Sequence, residues 1–252
     1  MSPRLRGVLI DVDGTLLDSN DAHARAWAEV FAEHGMHVTF EDVRPLVGMG
    51  SDKLLPQLTG LSHESAEGKR LIARKKEVFA QKYLPDLRAT RGARALMERM
   101  TNEGLATVIA TSAGGDELRS LLRQAGVADL VDDATSSGDV DSSKPDPDVI
   151  GTALRKGGLR PNDALMLGDT PYDIEAAARA GVPTVALRCG GWWDDQALSG
   201  AVAIYDDPAD LLADYENSPL VGGTGSWEVP SEGVREVSDA PYPAAPTGEI
   251  RP

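Results

Sequence analysis

Asp11 and Asp13 stand two residues apart in the segment Asp11-Val12-Asp13-Gly14-Thr15-Leu16, directly after the apolar run Val8-Leu9-Ile10. Side chains alternate along a strand, so two carboxylates at this spacing project to the same side of its end. Gly14 gives the backbone the freedom to leave the strand sharply. Such a pair can hold a hard cation, and it can also divide nucleophilic and proton-transfer work between two carboxylates. A calcium loop of the EF-hand type opening at Asp11 would need Gly at its sixth position and Glu at its twelfth. Those positions are Leu16 and Ala22, which excludes it.

Other groups capable of chemistry recur where apolar runs end. Thr111-Ser112-Ala113-Gly114 follows the run at 106–110, Ser142-Ser143-Lys144-Pro145-Asp146 precedes a helical stretch, and Gly168-Asp169-Thr170-Pro171-Tyr172-Asp173 follows the run at 164–167. Each has a plain reading of its own: a turn or cap hydroxyl, a surface cation, acids favoured at a helix start. Arriving in this order at successive strand ends, they read together as one site.

The elements that must position them follow from periodicity. Strands are expected at 6–12, 106–110, 130–134, 164–167, 182–186 and 202–204, and helices near 92–103, 115–125, 146–157, 172–180 and 207–214. Strand–helix alternation of this kind predicts an α/β fold, a doubly wound, Rossmann-like parallel sheet with helices on both faces. Ligands then bind outside the carboxyl ends of the strands. Residues 20–84 carry no strand run and show helical periodicity instead, with one helix ending near Gly35 and a long charged helix over 63–84 whose lysines and arginines read as a solvated face. The chain divides into a core of residues 1–17 and 85–216, an inserted helical cap of residues 18–84, and a Pro- and Gly-punctuated tail of residues 217–252 expected to be disordered or loosely draped.

A formal charge of −15 argues against nucleic acid as a partner and leaves room for a small phosphorylated substrate held by a local cluster of donors. No stretch approaches the ~20 apolar residues of a membrane span. Cys189 is the single cysteine, which excludes an intramolecular disulfide and fits a reducing cytoplasm. The chain reads as a monomer or small homo-oligomer.

With these four segments the sequence resembles the haloacid dehalogenase superfamily, in its subgroup with a helical cap inserted after the first motif; the resemblance covers residues 5–216. It implies that Asp11 is a nucleophile that becomes an aspartyl phosphate and Asp13 a general acid and base. Thr111 and Lys144 would hold phosphoryl oxygens, with Ser112 and Ala113 helping. Mg2+ would sit on Asp11, the Asp13 carbonyl and Asp169, and Asp173 would orient metal waters or Lys144. To carry a proton when the leaving group departs, Asp13 is expected to have a pKa raised by its neighbours.

Asp13 separates the chain from the dehalogenase branch, which lacks the second acid. Met49-Gly50-Ser51-Asp52-Lys53 resembles the cap stretch bearing the Schiff-base lysine of a phosphonate-cleaving branch, but that branch replaces the Asp13 equivalent with a small residue. Lys53 is then either a cap cation facing substrate or a surface lysine. The cap entry at Asp18-Ser19-Asn20-Asp21-Ala22-His23 is similar to those of β-phosphoglucomutases and phosphoglycolate phosphatases, where His23 would help position the general acid against substrate. The mutase cap loop usually carries an arginine for a second phosphate, and Val47-Gly48-Met49-Gly50-Ser51-Asp52-Lys53 has none. The expected function is hydrolysis of a small phosphorylated metabolite, with a phosphosugar mutase as the alternative.

Overall fold

The computed structural model describes residues 4–221. Six strands form one sheet: β1 (Gly7–Ile10), β2 (Ala106–Ala110), β3 (Asp133–Thr135), β4 (Ala164–Gly168), β5 (Thr184–Leu187) and β6 (Ala203–Tyr205). All pairings are parallel and the order is β3-β2-β1-β4-β5-β6. The chain therefore winds outward from β1 through β2 to β3, then returns to the other side of β1 with β4. That reversal opens a crevice at the carboxyl ends of β1 and β4. Register sharpens the point: Ile10 pairs with both Ile109 and Leu167. Asp11, Thr111 and Asp169 thus leave the sheet at nearly the same level.

Four helices occupy the stretch between β1 and β2 before the core helix: α1 (Asn20–Glu33), α2 (Phe40–Val43), α3 (Ser51–Thr59) and α4 (Ala66–Val78). Then come α5 (Ala93–Asn102), α6 (Gly115–Gln124), α7 (Asp148–Lys156), α8 (Pro171–Arg179) and α9 (Pro208–Ala213). Strand alternation sends Val8 and Ile10 to one face of the sheet and Leu9 to the other. The Leu9 face packs on α7 and α8 through Val149, Ile150, Ala153, Ala176 and Ala177. The Val8 and Ile10 face belongs to a cluster that also takes in Trp27, Phe31, Leu54, Leu71 and Phe79 from the inserted helices. Sheet and inserted helices share one continuous apolar interior on that side.

Differences from the sequence reading have local causes. β3 begins at Asp133 and not at residue 130, because residues 128–130 form a 3-10 turn. The edge of β2 is met there by side chains: Thr107 N donates to Asp132 Oδ2 at 2.8 Å and Thr107 Oγ1 donates to the Leu130 carbonyl at 2.6 Å. β5 begins at Thr184, after Pro183, which has no N–H for the ladder. The long helix expected over 63–84 starts at Ala66, capped by Ser65 Oγ accepting from Gly68 N at 3.0 Å, and loosens into a π turn over Phe79–Tyr83. Helices α2 and α3 were hidden by Pro45, Gly48, Gly50 and Pro56. Leu220, placed in the expected tail, is buried in the interior; the rest of that tail, from residue 222, lies outside the described residues. Among the described residues no helix is long and apolar enough to cross a membrane.

Leu9 lies fully buried in the central strand, so Leu9→Ala is expected to cost about 2–5 kcal/mol in urea unfolding. Val221→Ala, at a site 50% exposed, is expected to change stability by less than about 0.5 kcal/mol in the same assay.

Candidate active site

Lys144 lies fully buried, brought in by the segment that precedes α7. Its ammonium donates to Asp11 Oδ1 at 2.6 Å, just past β1, and to Asp173 Oδ1 at 2.7 Å, in the first turn of α8. Asp173 is fixed from its other oxygen: Thr170 N and Oγ1 donate to Oδ2 at 3.1 and 2.7 Å, closing the capping box that starts α8. Asp169, at the end of β4, accepts from Thr15 Oγ1 at 3.1 Å and from Asn20 Nδ2 at 2.7 Å. Gly14 makes that approach feasible, since it sits at φ +78° and a Cβ there would lie 2.2 Å from Asp169 Oδ2.

Carboxylate oxygens of Asp11, Asp169 and Asp173 come within 4.8 Å of one another, all buried. One ammonium against three carboxylates leaves two negative charges, and every donor is oxygen. Burial pushes the Asp11 carboxyl well above its usual range despite Lys144. Burial, with the neighbouring Asp173, pushes Asp169 up to about 7. Lys144 is driven up, because Asp11 and Asp173 outweigh the burial that would lower it. The excess negative charge and hard-oxygen donor set fit a hard divalent cation.

Asp13 occupies the opposite electrical setting. Burial alone would raise it, but His23, a hydrogen bond from Ser19 and the charge of Lys75 hold it at about 2. This reverses the expectation of a raised pKa, and the reason is the pair of groups that the inserted helices bring in. His23 Nε2 lies 2.8 Å from Asp13 Oδ1, and Lys75 Nζ lies 2.8 Å from His23 Nδ1. An ammonium only donates, so Nδ1 accepts and the ring proton sits on Nε2, pointing at Asp13. Ser19 stands at the N-cap of α1 but caps no helix amide; its hydroxyl donates to Asp13 Oδ1 at 2.5 Å instead.

A cavity of about 90 Å³ is lined by Asp11, Asp13, His23, Thr111, Ser112 and Ala113 on the sheet side and at the entry of α1. Trp27, Val47, Met49, Leu54 and Ile72 form an apolar wall from the inserted helices. Thr111 is buried, and its Oγ1 accepts from Ala113 N at 3.1 Å; Ser112 Oγ donates to the Gly48 carbonyl at 3.4 Å. Lys144, Asp169 and Asp173 lie in the buried layer around Asp11. Lys53 is not brought to the cavity: its ammonium pairs with Asp146 Oδ2 at 2.6 Å. The Asp13 carboxylate is likewise outside the cluster of three acids, and Asp173 is inside it.

Sequence reading missed Lys75, which was grouped with the solvated basic run yet is 7% exposed. Its spacing with Leu71, Val78 and Phe79 marks the apolar face of α4, and that signal was available. Lys75 also pairs with Glu117 of α6 at 3.2 Å. Arg44 was missed without such a signal. It is buried, donates from Nε to Asp21 Oδ1 at 2.7 Å and from Nη2 to the Gly190 carbonyl, and lies over the Trp192 ring. Thr15 and Asn20, which hold Asp169, were likewise not singled out.

A family model described as haloacid dehalogenase-like hydrolase matches residues 8–187. The chain is similar to a phosphoglycolate phosphatase of Rhodospirillum rubrum, 30% identical over 226 residues, covering 86% of this chain and 93% of the relative. It is also 30% identical over 216 residues to an N-acetylmuramic acid 6-phosphate phosphatase of Pseudomonas aeruginosa, covering 83% of this chain and 94% of that one. The crystal structure of a hydrolase from Pseudomonas syringae superposes with a TM-score of 0.78 at 28% identity, covering 84% of this chain and 98% of the other.

Asp169 binds protons more tightly in the folded chain than in the unfolded one, so its contribution makes stability fall as pH rises from about 4 through about 7. In chelator the melting temperature is expected to drop across that window. Asp169→Asn should flatten the slope, and saturating Mg2+ should stabilise the wild type more at pH 8 than at pH 5. Melting curves in buffered series with and without Mg2+ check all three.

Proposed function

Because this chain belongs to the haloacid dehalogenase-like hydrolase family, we propose that it is a magnesium-dependent phosphatase that hydrolyses a small cytosolic phosphorylated metabolite through an aspartyl phosphate on Asp11. The observation that carries this reading is the unequal setting of two acids facing one cavity. Asp11 shares its charge with Lys144 and the buried acid cluster, while Asp13 is held as a carboxylate by His23, Ser19 and Lys75.

In this reading Asp13 takes up a proton from solvent or the entering phosphate monoester, an Asp11 oxygen attacks phosphorus, the bond to the leaving oxygen breaks, and Asp13 delivers that proton to the leaving oxygen. Water then attacks the aspartyl phosphate, Asp13 takes the proton, and Asp11 departs as inorganic phosphate forms. The resting environment of Asp13 favours its carboxylate form and so suits the second half of the cycle. A phosphoryl dianion entering beside it adds negative charge and raises its proton affinity, the direction the first half requires. Lys144 and the Thr111 hydroxyl, with Ser112 and Ala113 alongside, hold phosphoryl oxygens. Asp11, Asp169 and the Asp13 carbonyl would hold Mg2+, with Asp173 orienting Lys144. A bound divalent cation supplies the charge neutralisation that lets a carboxylate approach a phosphoryl group.

Residues 18–84 act as the cap over a core of residues 1–17 and 85–216, excluding bulk water from the site. The cavity's small volume and apolar wall support a compact leaving group. Residues 47–51, which line it, bring no cation, and the cations lining it from the inserted helices are Lys75, paired with His23 and Glu117, and Lys76.

With Mg2+, the wild type is expected to release inorganic phosphate from small phosphomonoesters, and Asp11→Asn to lose about 10³-fold or more in kcat. No release across a broad metabolite panel, or isomerisation of a hexose 1-phosphate primed by a bisphosphate, would sink the hydrolase reading.

A further inference from the structure

The Lys144 ammonium reaches its two carboxylates from a loop that the inserted helices hold from outside. Ser143, the residue before it, is buried, and its amide and hydroxyl meet residues at the start of α3, while its carbonyl accepts from Asp146 N at 3.0 Å within the loop. Gly50 N donates to Ser143 Oγ at 3.0 Å, Ser143 Oγ donates to Asp52 Oδ1 at 2.5 Å, and Ser143 N donates to Asp52 Oδ2 at 3.2 Å. Two residues beyond Lys144, Asp146 Oδ2 accepts from Lys53 Nζ at 2.6 Å. A Cβ at position 50 would lie 2.6 Å from Ser143 Oγ, so the close approach depends on glycine there. Neighbouring residues of the same strap, Val47, Met49 and Ser51, line the cavity.

The two stitches are unequal. Asp146 has partners outside α3: Ser142 Oγ donates to Oδ2, and Arg179 Nη1 lies 3.4 Å from Oδ1. Its pair with Lys53 is about one-third exposed and screened by solvent. Ser143 has less in reserve: its amide donates to Asp52 Oδ2, and its hydroxyl, which donates to Asp52 Oδ1 at 2.5 Å, has in the core only the Lys144 carbonyl at 3.5 Å. Lysine reaches its partners through a flexible four-carbon stem, so the backbone it hangs from decides where the ammonium lies. A misplacement of about 1 Å in such a group is enough to cost on the order of 10²-fold in rate.

We infer that Asp52 is a positioning residue for Lys144: the strap that closes the cavity also sets the lysine, through Ser143, so that docking of α3 and readiness for phosphoryl transfer are one event. This rests on the phosphatase reading for its kinetic consequence, and on geometry alone for its structural one. It also assigns the Met49-Gly50-Ser51-Asp52-Lys53 motif a task other than substrate contact.

The test uses the full chain with Mg2+ and p-nitrophenyl phosphate as the probe, comparing wild type, Asp52→Ala, Asp52→Asn, Ser143→Ala and the double variant Asp52→Ala/Ser143→Ala. Asp52→Ala is expected to lower kcat about 10- to 100-fold with KM within about threefold of wild type. Asp52→Asn, which keeps an acceptor for Ser143, should recover most of the loss. The double variant should be no slower than the slower single, because both remove the same contact. Amide exchange over residues 142–146 should quicken at least tenfold in Asp52→Ala. A kcat within twofold of wild type, additive losses in the double variant, or unchanged exchange over 142–146 overturns the inference. If the wild type releases phosphate neither from the probe nor from any ester of the metabolite panel, the phosphatase reading is what fails, and the exchange measurement alone still decides the role of Asp52.

Discussion

A lysine ammonium buried among three carboxylates is the constraint around which the carboxyl edge of the sheet is built. Lys144 joins Asp11, from the end of β1, to Asp173, from the start of α8, and so ties two neighbouring strand ends to the segment before α7. Removing either partner from such a buried pair would leave a desolvated charge, which is far costlier than losing a surface ion pair. Burial first, and repulsion from the neighbouring acids after it, raise Asp11 and Asp169. A protein tolerates such a cluster where a further cation completes it.

Asp13 shows how two residues of spacing become two chemical environments. Asp11 faces inward to Lys144 and the acid cluster; Asp13 faces the inserted helices, where Ser19 and His23 meet it and Lys75 meets the far side of His23. The chain Asp13–His23–Lys75–Glu117 passes from the sheet to α1, to α4 and back to α6. Its geometry exists only while those helices rest on the core. Phe79 supports the arrangement by stacking on the His23 ring at 4.0 Å and lying beneath the Lys75 ammonium at 4.9 Å. The apolar interior shared by sheet and inserted helices holds this docked state together. Polar contacts also cross that interface, Ser112 to the Gly48 carbonyl at the cavity and Ser143 to Asp52 beside Lys144.

Much of the fold was legible from period alone. Strand ends were readable because buried parallel strands are short apolar runs, and the chemistry-bearing residues follow them directly. Asp11, Thr111, Lys144, Asp169 and Asp173 could be found in this way because each is placed by the element it terminates or begins. The start of β3 was misread because Leu130 and Val131 are apolar enough to continue a strand, while Asp132 satisfies the neighbouring strand with a side chain.

By itself the amino-acid sequence determined the parallel sheet, the helical insertion after β1 and the set of acids, hydroxyls and lysine at the strand ends. These depend on local periodicity and on one topological rule about where ligands bind. Only the tertiary structure decided that Lys53 turns to Asp146, that Lys75 turns inward to His23, and that Asp13 is held at about 2. Those outcomes depend on which charges face one another across packed elements, between residues separated by tens of positions in the chain. Electrostatic energy is set by distance and burial, and neither is encoded in the spacing of residues along one segment.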